Sequence, residues 1–218
     1  MLSREPGYEK YARQYFNKTL RFVREATESY EPEEELPEVA FDESYLKRME
    51  EKVKSKEERT ANYVFTLNRY ILVERHKDPV SETLADKVEN ILKLWREKTR
   101  DFERIYRECV SVLKEREKLV VRQKTLGFTN LEYSTLLALE KRSGEEESLT
   151  SEVKELSDSL EKQMFPGWQT QKAAAKKMEK EIRRFAIRYV IKHNLGKDKI
   201  DEIHGDLTEN LKKYGKAN

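Results

Sequence analysis

The sequence predicts an all-α protein, a helical bundle of about seven or eight helices with one long central helix. Apolar residues recur three and four positions apart through most of the 218 residues, and no segment alternates as a half-buried strand would. Only 7 Gly and 5 Pro interrupt the chain. Charged residues make up 39%, which suits long helices because Lys, Glu and Arg form helices well and most of a helix surface faces solvent.

The N-terminal part is expected to form two helices joined by an acidic linker. The first helix covers residues 8–29, where apolar residues follow i, i+3, i+4, i+7 spacing. Residues 28–43 hold eight acids, no Lys or Arg, and two prolines, which predicts a loop. Asp42 is the expected cap of the second helix, whose apolar residues are Tyr45, Leu46, Met49 and Val53. We therefore predict N-terminal helices and an acidic linker over residues 1–55, and a C-terminal helical domain over residues 56–218.

A third helix is expected from Lys56 to Arg75. It should end at His76-Lys77-Asp78-Pro79, because the residue before a proline avoids the helical region. The predicted buried positions are Ala61, Val64, Phe65, Asn68, Ile71 and Leu72.

The fourth helix is the predicted long central helix. Its apolar seam advances in steps of four and three, an average of 3.5, which is typical of left-handed coiled-coil packing. The seam consists of Leu84, Val88, Ile91, Trp95, Lys98, Phe102, Ile105, Cys109, Val112, Arg116 and Leu119. A single helix of this length would extend roughly 50–60 Å. We expect it to pack against helices of the same chain; a homodimeric coiled coil is the alternative.

Two short helices are expected next. Leu126-Gly127-Phe128 breaks the chain, and Thr129 with Glu132 fits a capping box at the start of a helix. The apolar residues of this helix are Leu131, Leu136, Leu137 and Leu139. A charged loop, residues 143–148, precedes a helix with the apolar stripe Leu149, Val153, Leu156, Leu160 and Met164.

The last two helices follow the break at Phe165-Pro166-Gly167-Trp168, where Trp168 is expected to be buried. Thr170 is the predicted N-cap of a basic helix and Gly196 its predicted stop. The inward face of that helix should carry Ala175, Met178, Ile182, Phe185 and Tyr189. Asp198 is the predicted cap of the final helix, with Ile200, Ile203, Leu207, Leu211 and Tyr214 on one side.

The residue types needed for catalysis are not found in a usable pattern. No phosphate-binding Gly-x-x-x-x-Gly-Lys-Ser/Thr loop occurs. Glu50-Glu51-Lys52 and Glu152-Val153-Lys154 match the letters of a metal-dependent nuclease, but both fall on predicted helices, so we ascribe them to chance. The three histidines have no partner at i+4 that could form a metal pair. We predict no catalytic, cofactor-binding or metal-binding residue.

The single cysteine and the lack of a long apolar segment limit the sites and the cellular location that can be expected. Cys109 is the single cysteine, which excludes an intramolecular disulfide and a multi-cysteine metal site; its apolar helical position predicts a core thiol. No run of about twenty apolar residues could span a membrane, and no signal peptide is expected, so a cytoplasmic protein is predicted.

The basic helix carries the candidate binding residues. A cation recurs every fourth position, at Lys172, Lys176, Lys180, Arg184, Arg188 and Lys192. Such a row drifts by about 40° per step, so it winds across the outside of the helix. Contact with DNA phosphates or with an acidic protein surface is one interpretation. A solvated face balanced by the acidic residues 28–43 is the other.

Several segments, taken in order, resemble a known family. They are Asn68-Arg69-Tyr70-Ile71, Asp78-Pro79-Val80, Ile91-Leu92, Leu126-Gly127-Phe128-Thr129-Asn130-Leu131-Glu132-Tyr133, Trp168-Gln169-Thr170, and Ile182-Arg183-Arg184-Phe185-Ala186-Ile187-Arg188-Tyr189-Val190. From Thr60 to Asn218 the chain resembles the C-terminal helical domain of type I restriction enzyme R subunits. It departs from them at His193-Asn194-Leu195-Gly196, where family members often carry a Lys/Arg-Tyr-Gly-Tyr-Pro type segment.

The resemblance implies a role in assembly. R subunits carry a nuclease domain and two RecA-like motor domains, which use ATP and Mg to pull and cut DNA, before this helical region. The helical region helps to dock the R subunit on the methyltransferase core of M and S subunits. This chain would then be a non-catalytic fragment without cofactors of its own, whose partners are the M subunit, the motor domains and, as a further candidate, DNA. The alternatives are a DNA-contacting domain that uses residues 172–192 and a coiled-coil scaffold.

Overall fold

Helices are the only regular secondary structure in the described part of the chain. A computed structural model describes residues 44–72, 75–97, 101–144 and 148–215, of which 83% are helical and none form a strand. The α-helices are α1 (Tyr45–Lys52), α2 (Lys56–Leu67), α3 (Pro79–Arg96), α4 (Phe102–Leu126), α5 (Asn130–Ser143), α6 (Ser148–Glu161), α7 (Lys172–Lys192) and α8 (Lys199–Tyr214). A π-helical turn (Asn68–Leu72) follows α2, and a 3₁₀ turn (Trp168–Thr170) precedes α7. The predicted all-α fold with seven or eight helices is confirmed.

The described residues divide into two compact units. One contains residues 44–77 and 81–118, the other residues 78–80 and 119–215. The helix predicted over residues 8–29, the acidic linker and the Asp42 cap lie outside the described residues. The N-terminal domain proposed over residues 1–55 therefore stays a prediction. No helix in the described ranges is apolar over enough of its length to cross a membrane.

The first unit is built around tyrosine rings. The Tyr45 ring of α1 meets the Tyr63 ring of α2 edge-on, with centroids 6.0 Å apart. The Tyr45 hydroxyl lies 2.6 Å from Thr66 Oγ1, so its polar end is satisfied inside the core. The Tyr63 ring also lies 5.8 Å from the Tyr106 ring of α4, and Lys56 joins Glu103 at the surface beside it. Rings from both α1 and α4 therefore contact one aromatic residue of α2.

The predicted central helix is two helices, and the prediction of one helix over residues 84–119 is wrong. α3 ends at Arg96, and α4 begins at Phe102. The Asp101 carboxylate accepts a hydrogen bond from the Arg104 backbone N–H at 3.0 Å, as an N-cap does. The Trp95 and Phe102 rings then meet at 88° across the break. The heptad pattern continues through the break because both helices turn their apolar faces to the same core.

α4 is nevertheless the longest of the described helices. Its 25 residues extend about 37 Å. The seam residues of the two helices that are buried are Leu84, Val88, Ile91, Trp95, Ile105, Cys109 and Val112.

The inward face of α2 differs from the predicted one. The prediction followed the apolar residues, and of its six positions only Val64 and Ile71 are buried; the other four are half-buried. The buried set instead is Thr60, Asn62, Tyr63, Val64, Thr66, Leu67 and Ile71. Thr60 and Asn62 satisfy their side chains on backbone carbonyls one turn back, which lets polar residues enter this face. The π-helical turn also adds a residue to the repeat, which a 3.6-residue pattern does not anticipate.

The break between α4 and α5, which lies inside the second unit, is predicted correctly by the sequence. Gly127 has a φ of +64°, and the Phe128 N–H bonds the Gln123 carbonyl, which closes α4 with a Schellman motif. Thr129 and Glu132 then form the predicted capping box. α5 follows, and it packs against α6 and α8.

The core of the second unit is formed by inward faces of α5 to α8. Of the predicted positions, Leu137, Met164, Ala175 and Ile200 are only half-buried and the rest are buried. The buried apolar residues of these helices are Leu131, Tyr133, Leu136, Ala138, Leu139, Leu149, Val153, Leu156, Leu160, Met178, Ile182, Phe185, Ala186, Tyr189, Val190, Ile203, Leu207, Leu211 and Tyr214.

Trp168 is buried, as predicted, at 3% exposure. Gly167 takes a φ of +82°, which turns the chain so that the indole faces the end of α8. A Cβ on Gly215 would lie 2.5 Å from the Leu211 carbonyl and 3.2 Å from the indole, so this glycine permits a close approach. Gln169 ties the turn down by donating to the Lys212 carbonyl at 3.1 Å.

Two predicted helix ends need correction, and a third is confirmed in position only. The N-cap of α7 is Gln171 and not Thr170, whose hydroxyl donates to the Gly167 carbonyl within the 3₁₀ turn. The stop of α7 is Asn194 and not Gly196, because Asn194 has a φ of +52° and Leu195 N–H bonds the Val190 carbonyl. Asp198 does occupy the N-cap position of α8, but its side chain makes no capping hydrogen bond.

Candidate functional site

The rotation of α7 is fixed by its buried face. Met178, Ile182, Phe185 and Tyr189 all point inward, as predicted. The Tyr189 hydroxyl donates to the Leu139 carbonyl at 3.1 Å and lies 2.6 Å from Ser143 Oγ. Because this ring is fully buried, a rotated helix would leave its hydroxyl unsatisfied. The opposite face of α7 is therefore held toward solvent.

The C-terminal end of α7 is tied to α6 by a shared carboxylate. Glu152 Oε1 lies 2.6 Å from Lys192 Nζ and 3.2 Å from His193 Nε2. The His193 side chain is 6% exposed, and its ring lies 4.4 Å from the Tyr189 ring. The sequence shows a histidine near a helix end, but it does not show the carboxylate, which lies 41 residues earlier.

The six predicted contact residues are all exposed on α7, but they differ in what they contact. Lys192 is engaged by Glu152, and Arg184 lies 3.5 Å from Glu181 on its own helix. The other four, Lys172, Lys176, Lys180 and Arg188, make no ion pair within the described ranges. As the sequence predicts, the row winds over the helix surface and does not form one flat patch.

A straighter line of exposed residues runs along the solvent side of α7. Its members are spaced 4, 3, 4, 3 and 4 apart, so they lie on one face. We call them the outward stripe: Ala173, Lys177, Lys180, Arg184, Ile187 and Ile191, all of them exposed.

The two isoleucines distinguish this stripe from an ordinary solvated face. Ile187 is 39% exposed and Ile191 is 74% exposed. An isoleucine is among the residue types most often buried, so two of them one turn apart outside a basic helix are unusual. Sequence reasoning missed them because it looked for cations on this face. The signal was present, since neither falls on the Met178–Tyr189 side of the helix.

An open depression lies between α6 and α7. It has a volume of about 590 Å³ and is lined by Glu155, Asp158, Ser159, Lys162, Gln163 and Lys177. Both acids and bases line it, so it does not present one sign of charge. It borders the outward stripe at Lys177.

The nuclease-like segments and the single cysteine that the sequence analysis singled out lie on helices other than α7 in the described ranges. No cluster of three or more His, Cys, Asp or Glu side chains there could hold a metal ion. Glu50-Glu51-Lys52 lies on α1 and Glu152-Val153-Lys154 on α6. Burial raises the pKa of Cys109 to about 12, so the thiol stays protonated in the core, as the sequence predicts.

Comparison of the chain with protein-family models, with curated proteins and with solved structures gives no match. The outward stripe of α7 is therefore the feature from which a function must be argued.

Proposed function

We propose that this chain is a helical assembly domain that performs no reaction itself. In the form that the resemblance implies, it docks the ATP-dependent translocase and nuclease of a type I restriction R subunit onto the methyltransferase core, in the cytoplasm. Its partners are then the M subunit and the motor domains of the same R subunit.

The exposed isoleucine pair on α7 carries this proposal. Ile191 is 74% exposed on a helix whose other side is packed in the core. The helix therefore cannot rotate to bury Ile191 without exposing that core face. Exposed apolar residues rimmed by charges are typical of protein interaction sites. Here Arg184 and Arg188 supply the rim.

Rigidity of the helix also supports a docking role. Tyr189 and Glu152 hold the C-terminal half of α7 through side-chain contacts to α5 and α6. A surface that is already ordered loses little conformational entropy on binding. This favours a structural joint over a segment that folds only on contact.

The test is co-purification of the full chain with coexpressed M and S subunits of a type I system. We expect a stable complex that forms without ATP. A chain that folds but is not retained by the M and S subunits would contradict the proposal.

DNA contact by α7 is a second candidate, and a separate observation favours it. Lys172, Lys176 and Lys180 in the N-terminal half of α7 are exposed and make no ion pair with any described residue. Phosphate contacts release counterions, so an affinity based on them falls steeply as salt rises. A gel shift of duplex DNA that weakens with salt, and weakens further in Lys176→Glu, would support DNA contact. An absent or salt-insensitive shift would exclude it.

A further inference from the structure

The outward stripe of α7 has two chemically different halves. Lys177, Lys180 and Arg184 form a cationic half, and Ile187 and Ile191 form an apolar half. From Ala173 to Ile191 the stripe extends about 27 Å, which is five turns of helix. A binding partner must therefore supply negative charge along one half and apolar surface along the other.

The straight line of the stripe suits a helical partner. Steps of four and three keep its six members on one face of α7. A second α-helix laid along α7 can contact that whole line, because its own side chains recur at the same interval.

A second copy of this chain does not fit the whole length of the stripe. If two α7 helices paired in parallel, each cation would face its own copy. If they paired antiparallel about the centre of the stripe, Lys180 would face Arg184 of the copy, and Ile191 would face Ala173. Both arrangements place like charges together in the middle of the contact, which is unfavourable.

DNA does not fit the whole stripe either. Phosphates could meet Lys177, Lys180 and Arg184, but they offer nothing to Ile187 and Ile191, which occupy the last two turns. Burial of those isoleucines requires apolar side chains on the partner.

We propose that the outward stripe of α7 binds an acidic amphipathic helix of a partner protein. That helix carries Asp or Glu residues opposite Lys177, Lys180 and Arg184, and Leu, Ile or Phe residues opposite Ile187 and Ile191. The proposal rests on the proposed assembly function and names the chemistry of the docking element. Glu181 already lies 3.5 Å from Arg184, so the partner's carboxylates would displace or share that contact.

The experiment uses a displayed library of single helices of about 20 residues, randomised along one face and sorted against the purified full chain. We expect selected helices to carry acids in one half of that face and large apolar residues in the other. Ile191→Asp should weaken the best helix about tenfold or more. Arg184→Glu should weaken it too, and exchanging the facing acid for Lys should restore binding.

Val121→Asp is the matched control, because Val121 is 44% exposed on α4 and lies outside the stripe. It should leave binding within about twofold. Circular dichroism checks that each variant keeps its helices. Selected helices without the acidic and apolar halves, or helices that bind Ile191→Asp as tightly as the unchanged chain, would overturn the proposal. Duplex DNA that binds with an affinity unaffected by Ile191→Asp, while no helix is selected, would assign the face to DNA instead.

The outcome is separable from that of the assembly proposal. If the M and S subunits retain the chain but Ile191→Asp changes nothing, the assembly role stands and this surface is wrong. If acidic helices are selected but the M and S subunits do not retain the chain, the surface stands and the assembly role is wrong.

Discussion

Arg122 and Glu140 form a bidentate ion pair between α4 and α5 within the second unit. Arg122 Nη1 lies 2.9 Å from Glu140 Oε2, and Nη2 contacts Oε1. The two side chains differ in exposure, with 32% for the arginine and 9% for the glutamate. Loss of Arg122 and loss of Glu140 therefore have different consequences, because only the arginine can turn to solvent when its partner is missing.

We predict that Arg122→Ala lowers the free energy of unfolding by about 3 kcal/mol, since it leaves the Glu140 carboxylate buried without its cation. Glu140→Ala should cost only about 1 kcal/mol, and the double variant should resemble Glu140→Ala. Urea unfolding followed by circular dichroism measures all three. Arg188→Ala, at an exposed residue without an ion pair in the described ranges, is the control. Equal costs for the two single variants would refute the asymmetry.

Cys109 offers a test of core packing. The thiol is fully buried and its pKa is raised from 9.0 to about 12 by burial, so almost no thiolate exists at pH 8 in the folded protein. We expect no reaction with a thiol-specific disulfide reagent at pH 8 until guanidinium unfolds the chain. Rapid labelling of the folded protein would show that the core around α4 opens.

The raised pKa of Cys109 also makes the free energy of unfolding depend on pH. Between about pH 9 and pH 12 the unfolded chain loses the thiol proton while the folded chain keeps it. The stability that the protonated Cys109 thiol contributes is therefore fully present below pH 9 and is lost as the pH rises toward 12.

At the scale of whole helices, the sequence predicts the buried faces of helices better than the residues at which helices begin and end. The capping box of α5 was readable because both members lie three residues apart. The Asp101 cap was not, since the heptad pattern runs through it without interruption. Thr170 has the right residue type for a cap, but the 3₁₀ turn takes its hydroxyl. Local signals are thus reliable where no competing local hydrogen bond exists.

Two threonines test this distinction. Thr129→Ala should lower stability by about 1 kcal/mol, because it removes the cap of α5. Thr170→Ala should change it by less than about 0.5 kcal/mol, because its exposed hydroxyl caps nothing. Thermal unfolding of the two variants side by side gives the comparison. A larger loss of stability in Thr170→Ala than in Thr129→Ala would show that Thr170 is the N-cap, as the sequence predicts.

The end of α7 gives a second test of the same kind. Asn194 has a φ of +52°, while Gly196 has no positive φ, and a Cβ there would meet only the movable Asp198 carboxylate. We expect Asn194→Ala to cost about 1 kcal/mol through backbone strain, and Asn194→Gly to cost less. Gly196→Ala should be the milder alanine variant. The ranking, measured by urea midpoints, would be reversed if Gly196 were the true stop.

At the scale of the whole molecule, the apolar seam of α3 and α4 is used inside the chain. Leu84, Ile91, Cys109 and Val112 are each no more than 2% exposed. A homodimeric coiled coil built on this seam would have to break that core first. We therefore predict a monomeric mass by light scattering; a concentration-dependent dimer that Ile105→Asp abolishes without unfolding the chain would favour the scaffold alternative.

The fold class was predictable because burial follows the spacing of apolar residues. That spacing indicates helices even where the predicted end of a helix is wrong. The candidate site was predictable only in part. A row of cations is visible in the sequence, but the ion pair of Lys192 with Glu152 joins two residues that are 40 positions apart in the chain. The exposed isoleucines could have been found, because neither lies on the face of α7 that the sequence predicts to be buried.

The outward stripe of α7 is the proposed docking surface. The most direct measurement is sedimentation velocity of the full chain mixed with assembled M and S subunits, compared with Ile191→Asp and Val121→Asp. We predict that the unchanged chain and Val121→Asp sediment with the complex, and that Ile191→Asp sediments alone. Co-sedimentation of Ile191→Asp, or failure of the unchanged chain to join the complex, would contradict the account.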